Sequence, residues 1–224
     1  MTLSLTFALI GLVIVVNVAM REHRRIIAAR RPLLDGCAAA LSEAKITHGG
    51  DGFPTLEGLH RGHYLRAELV PDTMTIRRLP QLWLKLTRIE PRPHFPEFSL
   101  LIRPCGTEFY SLTAAHAVVL DPPTGIAAEI LAKGSAHASQ NSLDGSAPAL
   151  RRIFADPRMK EAAVTARGLR LVWQAAEGAR GEHLLFRQCR FDSSGVDPKI
   201  FESLLSALGD LSSSLDTPDE AQAA

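Results

Sequence analysis

Residues 55–70 read TLEGLHRGHYLRAELV. Thr55–His60 and His63–Val70 are runs of strand-forming residues, and Arg61-Gly62 between them is a two-residue spacer that suits a tight hairpin turn. Strands joined that closely pair antiparallel, because a parallel pair needs a long crossover. Toward the C-terminus the pattern persists. Pro71-Asp72 marks a turn, and Thr73–Leu79 and Gln81–Ile89 follow as further strands. In the latter, Leu82, Leu84 and Leu86 alternate with Trp83, Lys85 and Thr87, the period-two pattern of a strand with one wet face. Glu90–Pro96 is a proline-rich connector. Phe98–Arg103 and Glu108–Leu112 read as another strand pair around Pro104-Cys105-Gly106. Ala114–Leu120 is ambiguous, and Ile126–Lys133 reads as a short helix.

Residues 134–148 (GSAHASQNSLDGSAP) are the most linker-like stretch,. They divide the chain into two subdomains or form a long loop within one sheet. Beyond them, Pro148–Ala155 and Pro157–Ala166 read as short helices, with Asp156 as N-cap and Pro157 in a first turn. Gly168–Ala176 and His183–Phe191 read as strands. After Asp197-Pro198, Phe201, Leu204, Leu205, Leu208 and Leu211 fall at the spacing of an amphipathic helix. The tail at 216–224 is acidic and small-residue rich, the composition of a disordered end.

On the N-terminal side of the hairpin, Leu33, Leu34, Cys37, Ala38, Leu41 and Ala44 recur at helical spacing behind Pro32 and before the loop His48-Gly49-Gly50-Asp51-Gly52,. Ahead of that lies LSLTFALIGLVIVVNVAM, Leu3–Met20, without a charge. Eighteen residues of helix span roughly 27 Å, near a bilayer's hydrocarbon thickness, which predicts a single transmembrane anchor. A cleaved leader fits less well, because Met1-Thr2 carries no basic side chain and Val18-Ala19-Met20 is a poor cleavage site. The run passes into a basic stem holding Arg21, Arg24, Arg25, Arg30 and Arg31, so the positive-inside rule places the C-terminal domain in the cytoplasm and the N-terminus outside. These five arginines are the candidate membrane-surface contacts, suited to anionic lipid headgroups. Arg outnumbers Lys 20 to 5, a bias of high-GC bacterial genomes. The expected placement is therefore the bacterial inner membrane. The expected fold class is α+β: a transmembrane helix followed by antiparallel β-hairpins packed with amphipathic helices. Its organisation is an anchor and stem at 1–31, a cytoplasmic domain at 32–215 and a tail at 216–224.

Chemistry-bearing motifs are sparse. Net charge is +1, with 14 basic against 10 acidic residues in 1–110 and 11 against 14 in 111–224. No basic face with interleaved aromatics points to nucleic acid. Cys37, Cys105 and Cys189 are odd in number and widely spaced, which suits a reducing compartment and small buried thiols. His60 and His63 sit at a hairpin end without further metal ligands. Ser42-Glu43-Ala44-Lys45 matches S-x-x-K, but the companion elements of penicillin-recognising enzymes are absent. Asp192–Asp197 lacks the spacing of a calcium loop and reads as a strand-to-helix turn. Trp83 and Trp173 read as core. No phosphate-binding, dinucleotide-binding, nucleophile-elbow or zinc-protease motif occurs. The sequence thus assigns no catalytic residue, cofactor or metal. It leads to a non-enzymatic accessory or binding protein that meets the bilayer through residues 3–20 and docks its cytoplasmic domain on a protein partner or membrane complex. The alternatives are a membrane-tethered enzyme and a lipid-binding domain.

Overall fold

A computed structural model describes residues 2–73, 79–92, 96–126, 128–135, 140–179, 190–191 and 194–216. Its centre is one nine-stranded sheet in which every pairing is antiparallel. The strands are β1 (Ser42–His48), β2 (Pro54–His60), β3 (His63–Asp72), β4 (Gln81–Ile89), β5 (Phe98–Ile102), β6 (Val118–Leu120), β7 (Ile130–Gly134), β8 (Met159–Thr165) and β9 (Gly168–Glu177). Their order in the sheet is β1-β2-β3-β4-β9-β8-β5-β7-β6. Four α-helices are present among the described residues: α1 (Thr2–Arg30), α2 (Gln140–Gly145), α3 (Ala147–Phe154) and α4 (Pro198–Asp216).

The 55–70 hairpin forms where its sequence places it. Arg61 (φ 50°) and Gly62 (φ 82°) both take positive φ, as the two central residues of a type I′ turn do, and His60 pairs directly with His63. Leu82, Leu84 and Leu86 of β4 lie in the main core with Leu56 of β2, Leu65, Ala67 and Leu69 of β3, and Leu169, Leu171 and Trp173 of β9. The 3₁₀ segment Arg31–Ala40, α3 and α4 supply the rest of that core. On the opposite face, the ion pairs Glu57–Arg66, Arg66–Glu68 and Glu68–Lys85 run across β2, β3 and β4. Farther along that face, Trp83 and Val172 form a small second core with Tyr110, which comes from the β5–β6 connection.

The expected anchor does not stand. Among the described residues no helix is long and apolar enough to cross a membrane. The charge-free run of α1 ends at Met20. Arg21, Glu22, Arg24 and Arg25 follow within the same unbroken helix. This overturns the single-pass assignment. The inner-membrane placement with the N-terminus outside falls with it, because the positive-inside rule acts on a spanning helix. The fold class is corrected likewise: in place of an anchor followed by hairpins, the described residues form one large antiparallel sheet with four helices.

Several local expectations also change. The helix expected behind Pro32 ends at Ala40. Leu41 is extended, and Ser42–His48 becomes an edge strand because β2 offers it an unfilled ladder. Met159–Thr165, expected as a helix, is a strand held between β5 and β9 with six of its seven residues buried. Ile130–Gly134 is a strand against β5, where a helix was expected. Glu108–Leu112, expected as a strand, is a connection across the sheet face. The expected strands Thr73–Leu79 and His183–Phe191 lie largely outside the described residues. Of the latter, Phe191 bridges Gly178.

Candidate functional site

A dense polar grouping sits where β8 passes beneath the β5–β6 connection. A bulge between Met159 and Glu161 inserts Lys160 as an extra residue opposite β9, and bulges re-aim side chains. The Lys160 ammonium donates to Ile102 O (2.9 Å), Arg103 O (2.8 Å) and Glu108 Oε1 (2.9 Å). Its three protons therefore have three acceptors, the full capacity of a lysine. Glu108 Oε1 also accepts from the Cys105 amide (2.7 Å) and thiol (3.0 Å). Burial pushes the Glu108 carboxyl up, but the Cys105 and Lys160 hydrogen bonds and the Lys160 charge outweigh it and hold the pKa at about 2. A carboxylate that acidic is a poor proton acceptor near neutral pH, so Lys160 and Glu108 form a clamp that fixes the connection to the sheet.

Glu161, fully buried, makes a second tie to the same connection. Its Oε1 accepts from Ser111 Oγ, from Leu112 N (2.9 Å) and from Thr113 Oγ1 (3.1 Å). Thr113 Oγ1 in turn accepts from Ser99 Oγ of β5 (3.0 Å). Glu161 Oε2 has no partner.

Beside the clamp opens a cleft of about 580 Å³, lined by the ends of β3, β4 and β9 and the start of the β5–β6 connection. Asp72, Glu129, Glu177 and Arg103 line it along with Lys160, and Trp83 and Tyr110 give it an aromatic wall with ring centroids 5.2 Å apart. Trp83 is 8% exposed, and its indole Nε1 has no hydrogen-bond acceptor. A buried donor left unmet costs about 1–3 kcal/mol. The other indole is satisfied: Trp173 Nε1 donates to Asp156 Oδ2 at 2.7 Å. Burial pushes the Tyr110 hydroxyl pKa up, and the charges of Glu108, Asp72, Cys105 and Glu161 push it the same way.

A second polar network fastens the end of α4. Arg92 pairs with Glu90 and with Asp216 (2.7 Å) and donates to Ser212 Oγ (2.8 Å), while Ser212 donates to Glu90. Burial raises the Glu90 pKa, but the hydrogen bonds from Arg92 and Ser212 and the charges of Arg88 and Arg92 bring it below the usual value.

The five arginines of the stem do not act as one group. Arg21, Arg24, Arg25 and Arg31 are exposed. Arg30 is turned to the body, donating to Asp51 O at 2.8 Å with its guanidinium 4.6 Å from the Phe53 ring centre. Ile27 abuts Gly52, where an added Cβ would come within 2.9 Å of it. His60 and His63 stand side by side, and His60 Nδ1 lies 3.2 Å from Ala40 O. Among the described residues, no three His, Cys, Asp or Glu side chains are grouped to hold a metal ion. Ser42 and Lys45 lie in β1 on either side of a register shift, and Ser42 Oγ donates to Leu59 O. Cys37 is buried, and burial followed by the Asp197 charge pushes its thiol up to about 12. Cys105 is exposed, and Cys189 lies outside the described residues.

Sequence reasoning missed the clamp entirely. Lys160 and Glu161 sit in MKEAAVT, which has helix-forming composition and no alternation. The one available signal was a Lys-Glu pair between strongly apolar neighbours. No protein-family model, curated protein or solved structure matches the chain.

Proposed function

We propose that this chain is an accessory protein whose folded body presents α1 for docking among apolar helices of a partner protein. The observation that carries this is the exposure of α1: Phe7 is 67% exposed, Leu12 60% and Val15 65%, with Leu9, Ile10, Val13, Ile14, Val16, Val18 and Met20 exposed beside them. Contiguous apolar surface of that extent marks an interaction site. Its side chains are exposed around the whole helix, and a helix apolar on every side is stable when enclosed. Asn17, the one strongly polar residue in the stretch, turns its amide to Val13 O (2.8 Å) and so satisfies one of its two donors within the helix,. Exposed Arg21, Arg24 and Arg25 at the end of the apolar stretch suit an acidic rim on the partner,.

A photo-activatable diazirine amino acid placed at Val15 in cells tests the proposal, with the same group at exposed Ala39 of the body as control. A discrete protein adduct at position 15 and none at 39 is the expected result. Adducts to lipid alone, or equal labelling at both positions, overturn it.

A further inference from the structure

We infer that Asn17 sets the depth and rotation at which α1 docks, by pairing with a side-chain carboxamide held among the partner's apolar helices. This role rests on α1 being the docking segment.

From Phe7 to Met20 the helix reads FALIGLVIVVNVAM, and Asn17 is its single polar side chain. Exposed apolar residues surround it. Apolar contact is non-directional, so a slide or turn of such a helix exchanges one contact for another. Asn17 is directional. Its carboxamide carries two N–H donors and an acceptor oxygen. One donor goes to Val13 O at 2.8 Å, which is its only side-chain hydrogen bond among the described residues. Enclosing α1 in apolar surroundings would leave the second donor and the oxygen unmet, which opposes burial. One polar residue in an apolar helix seam fixes register, because a single alignment satisfies it. A carboxamide on the partner answers both groups, since it too carries a donor and an acceptor.

At about 100° and 1.5 Å per residue, Ile10, Val13, Asn17, Arg21 and Arg24 fall along one side of α1, with Arg21 about 6 Å beyond Asn17. That row argues against a second copy of α1 as the occupant. Two parallel copies that align their Asn17 residues would also align their exposed arginines, like charge against like,. The same alignment run antiparallel would set Arg21 against Val13 and Arg24 against Ile10, and bury charge in apolar contact. The partner is therefore a different chain, with its carboxamide about one helical turn inside the acidic rim that suits the arginines.

The test places the diazirine amino acid at Val13 of the full chain in cells and maps the crosslinked residues of the partner by mass spectrometry. Asn17 in its native form should give one crosslinked site. Asn17→Leu should lower the adduct at that site by about tenfold, the cost of an unmet amide, while sites a turn or more away appear. Asn17→Gln keeps the carboxamide and should restore the native site. Asn17→Asp cannot donate and should not restore it. Asn17 is exposed, so all three variants should keep the native urea midpoint,. An undiminished native site in Asn17→Leu, loss there with no new sites, or no recovery in Asn17→Gln overturns the role of Asn17 and leaves α1 as the docking segment. Recovery in Asn17→Asp overturns the carboxamide in favour of a donor such as lysine. An adduct between two copies of this chain overturns the choice of partner. No protein adduct from either Val13 or Val15 in the native chain overturns the docking of α1, and the Asn17 pairing with it.

Discussion

α1 and α4 are both long helices rich in apolar residues, yet they meet opposite fates. In α4 the apolar residues are confined to one side: Phe201, Leu204, Leu205, Leu208, Leu211 and Leu215 are buried, and Glu202, Ser203, Ser206, Asp210 and Ser213 are exposed. The stripe lies on the sheet and on α3, and the network of Glu90, Arg92, Ser212 and Asp216 fastens its end. In α1 the apolar residues run around the helix, and Phe7 and Leu9 through Met20 stay largely exposed while Ile26 and Ile27 turn to the body. Helix packing therefore follows the distribution of apolar residues more than their number. A stripe commits a helix to one neighbour, and an apolar cylinder does not.

The largest effect is expected from breaking the stripe. Leu205 is 3% exposed in the core of α4. Truncating such a leucine to alanine costs about 2–5 kcal/mol, and an unpaired carboxylate at that position adds its own desolvation. Leu205→Asp should therefore abolish the cooperative urea transition of the body. A normal transition would mean that α4 is held by its end network and not by its apolar face, which would erase the contrast with α1.

A smaller effect is expected at the clamp beneath the β5–β6 connection. Removing one partner of a buried ion pair costs about 3–5 kcal/mol, so Lys160→Met should lower stability by about 3 kcal/mol at neutral pH while leaving a folded protein. The pH dependence has a defined sign. Glu108 has a folded pKa of about 2 against an ordinary value of 4.5. Its contribution is fully present above the unfolded value and is lost as pH falls from about 4.5 toward 2. Urea melts through that window should show a steeper loss for the native chain than for Lys160→Met. Equal slopes would assign the acid loss to other carboxylates, with Glu90, whose pKa is also lowered, the first to examine.

How much of this was legible depends on how each element met its neighbours. β2, β3 and β4 were readable because one face is buried and the other carries Glu57, Arg66, Glu68 and Lys85. α4 was readable from its stripe and from Asp197, whose Oδ1 accepts from Lys199 N at 2.8 Å. β8 was not, because a strand buried on both faces loses alternation, and Lys160 and Glu161 with two alanines mimic a helix. Asp156 was the matching trap: expected to cap a helix, it accepts from Arg158 N and Trp173 Nε1 and turns the chain into β8. β1 was hidden because every residue in it but Ile46 is exposed, so nothing in its pattern demanded a strand. The cleft could not be read at all, since its lining comes from chain segments that only the sheet order brings together. The N-terminal run misled by its composition: its apolar residues continue in one helix with Arg21–Arg30, and among the described residues no helix is long and apolar enough to cross a membrane.

The smallest expected effect lies in α1 itself. Leu12 is 60% exposed and contributes to neither core cluster. Glutamine matches leucine closely in helix propensity, and surface substitutions away from packed features stay within about 0.5 kcal/mol. Leu12→Gln should therefore leave the urea midpoint of the body unchanged, whereas Leu208→Gln, the same exchange at a 1% exposed site in α4, should lower the midpoint through a stability loss of several kcal/mol,. The pair isolates location from chemistry, because the removed and introduced side chains are identical. A Leu12→Gln loss above about 1 kcal/mol would show that the body covers α1. The apolar cylinder would then be a packing element like α4, and its role as the docking segment would fail with it. An unchanged midpoint together with a reduced protein adduct from the Val15 crosslinker would place the whole effect of that leucine on association.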